Sequence, residues 1–144
     1  PGPSPPGGEG RKSVTPTVAA HPLMDIPAKK LVRLLKPDQP PGVRAAAALV
    51  WGELGAKDAD AATELVDRLD DPADEVRLAA IRAVGQLKVG KALPVLLERI
   101  KTGGEEANLA ADAAAKLGAD GVKGLQGLIH TVAPGLRRYI AAAL

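Results

Sequence analysis

Residues 62–87 read ATELVDRLDDPADEVRLAAIRAVGQL, two amphipathic segments on either side of an acidic, proline-containing turn. In each segment the apolar residues recur at i, i+3, i+4 and i+7, which places them on one face of a helix. Asp70 and Asp71 can cap the second helix, and Pro72 is tolerated in its first turn. The stretch therefore predicts two short helices joined by a tight turn.

The same quartet recurs along the chain at a nearly constant interval. Four segments carry it, beginning at Ala28, Ala62, Leu93 and Leu125, so the steps between them are 34, 31 and 32 residues. Similar segments lie between them, with a weaker example around Leu109. Two helices per period of this length are typical of an α-solenoid, in which each helix pair covers its apolar side with the next pair.

We therefore expect an all-α protein, an α-solenoid of antiparallel helix pairs with about eight helices. Leu65, Leu96 and Leu128 should occupy equivalent positions on consecutive pairs. The expected helices are at about 27–36, 41–54, 59–70, 73–87, 91–101, 105–117, 121–132 and 134–144.

The N-terminal part has a different composition, beginning PGPSPPGGEG. Proline lacks an amide donor and glycine loses much backbone entropy on folding, so this composition opposes helix and strand alike. We expect residues 1–26 to be an extended Pro/Gly-rich linker or tail and residues 27–144 to be the repeat domain.

Composition narrows the remaining classes of function. The chain has no Cys, which excludes disulfides and cysteine-ligated zinc. Its net charge of +2 is too small for a nucleic-acid-binding stripe, and no apolar run reaches the roughly 18 residues of a membrane span. These features disfavour nucleic-acid binding, and we expect no direct insertion into a membrane.

The residues from Asp71 to Gly85 resemble a HEAT-like repeat of the short type found in phycobilisome lyases. An Asp before the first helix and an Arg six residues later are common in HEAT repeats, where they form a ladder between neighbouring units. Asp38 with Arg44, and Asp71 with Arg77, match that spacing. The resemblance thus implies a structural ladder that ends after the second unit, where Thr102 and Asn108 stand in place of Asp and Arg.

No constellation of catalytic or metal-binding residues is found in the sequence. His21 and His130 are the only histidines and do not form a metal-binding pair, and both serines lie in the N-terminal tail. The spacing of Gly121, Gly124 and Gly127 matches no phosphate-binding motif. We expect a non-enzymatic protein with no metal and no cofactor.

The polar side of the second helix of each pair is the expected partner-binding face. Its charges are mixed in sign, basic at the N-terminal end and acidic in the middle, which suits a protein partner better than a polyanion. The predicted partner-binding residues are Lys30, Arg33, Glu64, Asp67, Arg68, Glu98, Arg99 and His130.

The partner expected from these features is another protein or a larger assembly, and the function is that of an interaction scaffold. The apolar C-terminal helix, which no later helix covers, could also join two copies of the chain. Two alternatives remain open: a phycobilin lyase-like helper enzyme, as the resemblance implies, and a nucleic-acid-binding HEAT-like module.

Overall fold

The computed structural model describes residues 27–144, and the predicted tail at 1–26 lies outside them. Over the described range the chain forms α-helices and two short 3-10 turns and contains no strand. This confirms the all-α solenoid of helix pairs. The helices are α1 (Ala28–Arg33), α2 (Pro41–Leu54), α3 (Ala59–Arg68), α4 (Asp74–Gln86), α5 (Leu93–Ile100), α6 (Gly104–Lys116), α7 (Ala119–Ile129) and α8 (Arg137–Ala143).

The chain divides between Leu31 and Val32 into two units. In the first unit the structure describes residues 27–31, which contain the start of α1. The second unit, residues 32–144, contains three complete helix pairs, which we call repeats 1, 2 and 3. Repeat 1 is α2 with α3, repeat 2 is α4 with α5, and repeat 3 is α6 with α7.

The helices of the second unit pack mainly across repeat boundaries. The first helices form a row in which α2 packs against α4, α4 against α6, and α6 against α8. The second helices α3, α5 and α7 each pack against the first helix of the following pair. Each repeat therefore buries its apolar residues with the help of its neighbour, as expected of a solenoid.

Two glycines allow the first helices to lie close together. A Cβ atom on Gly52 of α2 would overlap the Gln86 side chain and lie 3.2 Å from the Cα of Ala83 in α4. A Cβ on Gly85 of α4 would lie 3.0 Å from the Cα of Ala113 in α6. The absence of a side chain at these positions lets the helix backbones approach, in a core that alanine otherwise dominates.

The structure fixes the register of α6, for which the sequence gave only a weaker pattern around Leu109. Leu109 itself is only half-buried. The buried residues keep the i, i+3, i+4, i+7 spacing but begin two positions earlier, at Ala107, Ala110, Ala111 and Ala114.

The register of α7 also differs from the expectation. Leu128 was expected to be equivalent to Leu65 and Leu96, which are both fully buried. In α7 the fully buried leucine is instead Leu125, and Leu128 is only half-buried. At all three second helices a small buried residue precedes the buried leucine by four positions. These residues are Ala61 in α3, Ala92 in the 3-10 turn just before α5, and Gly121 in α7. A Cβ on Gly121 would overlap the carbonyl oxygen of Ala114, so this glycine brings the start of α7 against α6 and turns Leu125 inward.

The C-terminal helix α8 packs on both helices of repeat 3. Ile140 is fully buried, and the Tyr139 hydroxyl accepts a hydrogen bond of 3.2 Å from the backbone N–H of Gly104. The same helix leaves Ala141 and Ala142 exposed, followed by Leu144. Part of its apolar surface is thus covered by the domain and part faces outward.

Candidate protein interface

A buried ion pair joins repeats 1 and 2. The Nε and Nη2 atoms of Arg44 in α2 donate to the two carboxylate oxygens of Asp71 at 3.0 and 2.9 Å. The same carboxylate accepts from Arg68 at 3.1 Å and from the backbone N–H of Ala73 at 3.0 Å. Bidentate, charge-assisted bonds of this kind fix both distance and orientation, so the pair sets how α2 lies against the start of α4.

These contacts lower the pKa of Asp71. Burial by itself would raise the pKa of this carboxyl group above its ordinary value of 3.8. The hydrogen bonds from Arg44 and Ala73, with the charges of Arg44 and Arg68, outweigh that effect, so the net shift is downward. The carboxylate is therefore charged in the folded protein at neutral pH.

The second ladder arginine reaches repeat 3 through Glu106, which is not among the predicted ladder residues. Nε of Arg77 donates to Glu106 in α6 at 3.2 Å, and its Nη1 donates to the backbone carbonyl of Asp71 at 2.7 Å. Its Nη2 also donates to Asp74. Burial lowers the pKa of Arg77, but Glu106 and Asp74 raise it by more, and the net shift is upward.

The ladder therefore continues past the point where we expected it to end. Glu106 lies one helical turn beyond Thr102, the residue that replaces the expected Asp, and takes over as acceptor. Asp38, by contrast, is exposed and forms no ion pair within residues 27–144. In the sequence, the signal for Glu106 is a carboxylate four positions after Thr102, which stands where the repeat pattern would place the next ladder Asp.

Further polar contacts join the second helices to neighbouring repeats. Lys36, just after α1, forms a 2.6 Å ion pair with Glu64 of α3, which raises the pKa of Lys36. Arg99 of α5 pairs with Asp70, and its Nη1 lies 3.3 Å from Glu106. In the chain, Lys36 and Glu64 are 28 positions apart, and Arg99 is 29 positions from Asp70. Arg99 and Glu106 are 7 positions apart.

The predicted partner-binding residues fall into two groups. Glu64, Arg68 and Arg99 are only partly exposed and are engaged in the pairs described above. Their charges are used in ion pairs within the domain that stabilise the packing of neighbouring repeats. The structure therefore gives these three residues an internal contact that the helical pattern could not reveal.

The other group faces solvent in the second unit. Arg33, Asp67 and His130 are exposed and form no ion pair with any residue in the range 27–144. Glu98 is exposed, and its one ion pair among the described residues is with Lys101, one turn away, at 3.0 Å. Lys30 is also exposed but belongs to the first unit.

Small surface cavities lie at the junctions between repeats. One, of about 290 Å³, lies between α2 and α4 and includes Leu49, which has 46% of its surface exposed. Another, of about 300 Å³, lies between α4 and α6 and includes Arg82, Asp112 and Lys116. A third is formed by turns and is described below.

Residues 27–144 bring together no group of three or more His, Cys, Asp or Glu side chains that could hold a metal ion. None of the helices in the same range has the length and apolar character needed to cross a membrane.

Comparison with known families agrees with the fold. The family model for HEAT repeats matches residues 28–118, which is well over half of the 144 residues. The protein belongs to the HEAT-repeat family. No curated protein is significantly similar to the chain in sequence.

Proposed function

We propose that residues 32–144 form a non-enzymatic scaffold that binds another protein through the exposed face of its second helices. HEAT repeats are generally protein-interaction scaffolds, and this chain has the repeat. The observation that carries the proposal is the exposure of Asp67, Glu98 and His130 along the second helices, together with that of Arg33 at the end of α1.

The ladder explains why such a face suits binding. The ion pairs of Arg44 and Arg77 hold successive first helices in register. Two further ion pairs, Lys36 with Glu64 and Arg99 with Asp70, fix the second helices α3 and α5 against neighbouring segments. Charges presented on a fixed framework lose little conformational entropy when a partner binds. A face with both signs of charge selects its partner by matching charge positions, mostly through association rate and specificity.

Affinity capture followed by chemical cross-linking tests this proposal. The bait is the full chain, compared with the charge reversals Arg33→Glu and Glu98→Arg and with Lys116→Glu on the first-helix row. We expect one protein partner, cross-linked to the second helices, to be lost with the first two variants and retained with the third. Circular dichroism would show that all three variants keep their helix content.

Three outcomes would contradict the proposal. Equal capture by all variants would remove the second-helix face from the interaction. A copurified pigment with its own absorbance would support the phycobilin lyase-like alternative, which the predicted phycobilisome-lyase subtype implies. Salt-sensitive binding to generic DNA would support the nucleic-acid alternative.

A contact between two copies of the chain is a separate part of the proposal. The exposed residues Ala141, Ala142 and Leu144 at the end of α8 support it. Sedimentation of the wild type and of Leu144→Glu would test it, because a charge at a buried apolar contact opposes association. A concentration-independent monomer in the wild type would rule it out.

A further inference from the structure

A cavity of about 280 Å³ lies where the turn inside repeat 1 meets the turn inside repeat 2. We call it the Lys57–Lys88 pocket. Alanine, leucine and valine side chains make up most of its wall, and two lysines and an aspartate contribute the charges. Its lining residues are Ala56, Lys57, Asp58, Ala59, Ala62, Leu87, Lys88 and Val89.

The charge in this pocket is predominantly positive. Lys57 and Lys88 are both exposed, and neither forms an ion pair with a residue between 27 and 144. The carboxylate of Asp58 accepts a 2.9 Å hydrogen bond from the backbone N–H of Ala61 and caps α3. Two lysines against one aspartate leave the lining with an excess of one positive charge, which favours an external anion.

Lys88 is an unusual residue for its backbone position. Its φ of 55° makes it the one non-glycine residue with positive φ in the described part of the chain. The first helices of repeats 1 and 3 end on Gly55 and Gly118, with φ of 66° and 91°. Glycine adopts a positive φ without strain, whereas lysine does so at a cost in free energy. The need to end α4 therefore does not explain why position 88 is a lysine.

We propose that the Lys57–Lys88 pocket binds an acidic peptide segment of a protein partner, with one aliphatic side chain inserted into the cavity. A cavity of about 280 Å³ has room for one aliphatic side chain, and most of its wall is apolar. Carboxylates on either side of that side chain would meet the two lysines. This inference rests on the proposed scaffold function and names the chemistry of the segment bound.

Fluorescence anisotropy with synthetic peptides tests the inference on the full chain. The probe is a labelled short peptide with a central leucine flanked by aspartates. Two matched probes replace the leucine by serine or the aspartates by lysines. We expect the acidic leucine probe to bind at least about fivefold more tightly than either matched probe, since each rim charge pair contributes modestly.

Variants then locate the binding. Lys57→Glu and Lys88→Glu should each weaken the acidic leucine probe by at least about fivefold, whereas Lys116→Glu, a matched change elsewhere, should leave it unchanged. Lys88→Gly is the sharper variant, because it should keep or raise the melting temperature while weakening the probe. A merely structural role for Lys88 would not separate the two measurements.

Equal affinity for the three probes, or wild-type affinity in Lys88→Gly and Lys57→Glu, would overturn the pocket assignment. Such a result would leave the scaffold proposal standing if Arg33→Glu and Glu98→Arg still lose the captured protein. The two proposals can therefore fail separately. Capture of the protein partner tests the scaffold through Arg33→Glu and Glu98→Arg, and peptide affinity tests the pocket through Lys57→Glu and Lys88→Gly.

Discussion

At the residue scale, Asp71 is the most constrained side chain of the described domain. Its side chain is fully buried, and both oxygens accept hydrogen bonds from residues on either side of the boundary between repeats 1 and 2. A buried carboxylate is tolerated only when its charge is matched in this way. Asp71 therefore couples the turn before α4 to the stacking of repeats. The acidic cap expected from the sequence is not formed, since the N-cap residue of α4 is Ala73, whose side chain accepts no capping hydrogen bond.

Replacing Asp71 by Asn should lower the free energy of unfolding by about 3 kcal/mol at neutral pH, because Arg44 loses its buried counter-charge. Urea unfolding followed by circular dichroism measures this change. The exposed Asp67→Asn is the control and should alter stability by less than about 0.5 kcal/mol. Equal effects of the two changes would contradict the role of Asp71.

The same pair should make stability depend on pH. The folded pKa of Asp71 lies below 3.8, so its contribution is fully present above that pH and is lost as the pH falls through the folded pKa. The wild type and Asp71→Asn should therefore differ most near neutrality and converge in acid. Parallel curves down to the lowest pH would argue against a lowered pKa.

Trp51 gives a second prediction at this scale. It is 2% exposed, and its indole N–H has no hydrogen-bond partner among the described residues. Its contribution is thus mainly apolar volume. Trp51→Ala should cost about 3–5 kcal/mol of the free energy of unfolding, whereas Trp51→Phe should cost much less because it fills more of the space. Equal losses in chemical denaturation would point to a role for the N–H group.

At the scale of the helix, α7 shows that glycines of one motif can have opposite effects. Gly121 lies against the Ala114 carbonyl of α6, whereas nothing lies within 4 Å of a Cβ on Gly127. Gly121 is needed for close packing, and Gly127 only weakens the helix. The regular spacing of these glycines in the sequence does not distinguish the two roles.

Gly127→Ala should therefore raise the free energy of unfolding by up to about 1 kcal/mol, the difference in helix propensity between the two residues. Gly121→Ala should lower it, since α7 must move away from α6 to admit the methyl group. Thermal unfolding of the two single variants compares them directly. Stabilisation by both changes would show that the approach of α7 to α6 is looser than in the structure.

At the scale of the whole second unit, stability comes from the contacts between repeats. The first helices pack in a continuous row, and Arg44 and Arg77 each bond to an acceptor in the next repeat. In short repeat arrays this coupling makes neighbouring units unfold together. A defect at one boundary should therefore be felt at the next.

Gly85→Val tests that coupling, because its side chain would press on Ala113 in α6 while Trp51 reports from α2. We expect Trp51 fluorescence and far-ultraviolet circular dichroism to shift to the same lower denaturant midpoint. Gly42→Val, with open space around the new Cβ, is the control for the substitution itself. A Trp51 transition that stays at the wild-type midpoint would show that the repeats unfold separately.

The sequence by itself determined the fold class and the placement of the helices. Helical spacing of apolar residues is a local signal that is visible along one segment, and the interval of about 31 to 34 residues appears when segments are compared. The all-α solenoid followed from these two patterns and is confirmed. The HEAT repeat was implied by a resemblance and is also confirmed. The same resemblance implied the ladder positions of Arg44 and Arg77.

Only the tertiary structure decided which charges are free and which are used internally. The helical pattern places Glu64 and Arg99 on the solvent side. In the structure Glu64 pairs with Lys36, 28 residues away, and Arg99 pairs with Asp70, 29 residues away. Glu106 and Leu125 likewise take their roles from the way α6 and α7 approach their neighbours. A periodic pattern describes one helix at a time, whereas ion pairs, core register and pockets depend on the distance between helices.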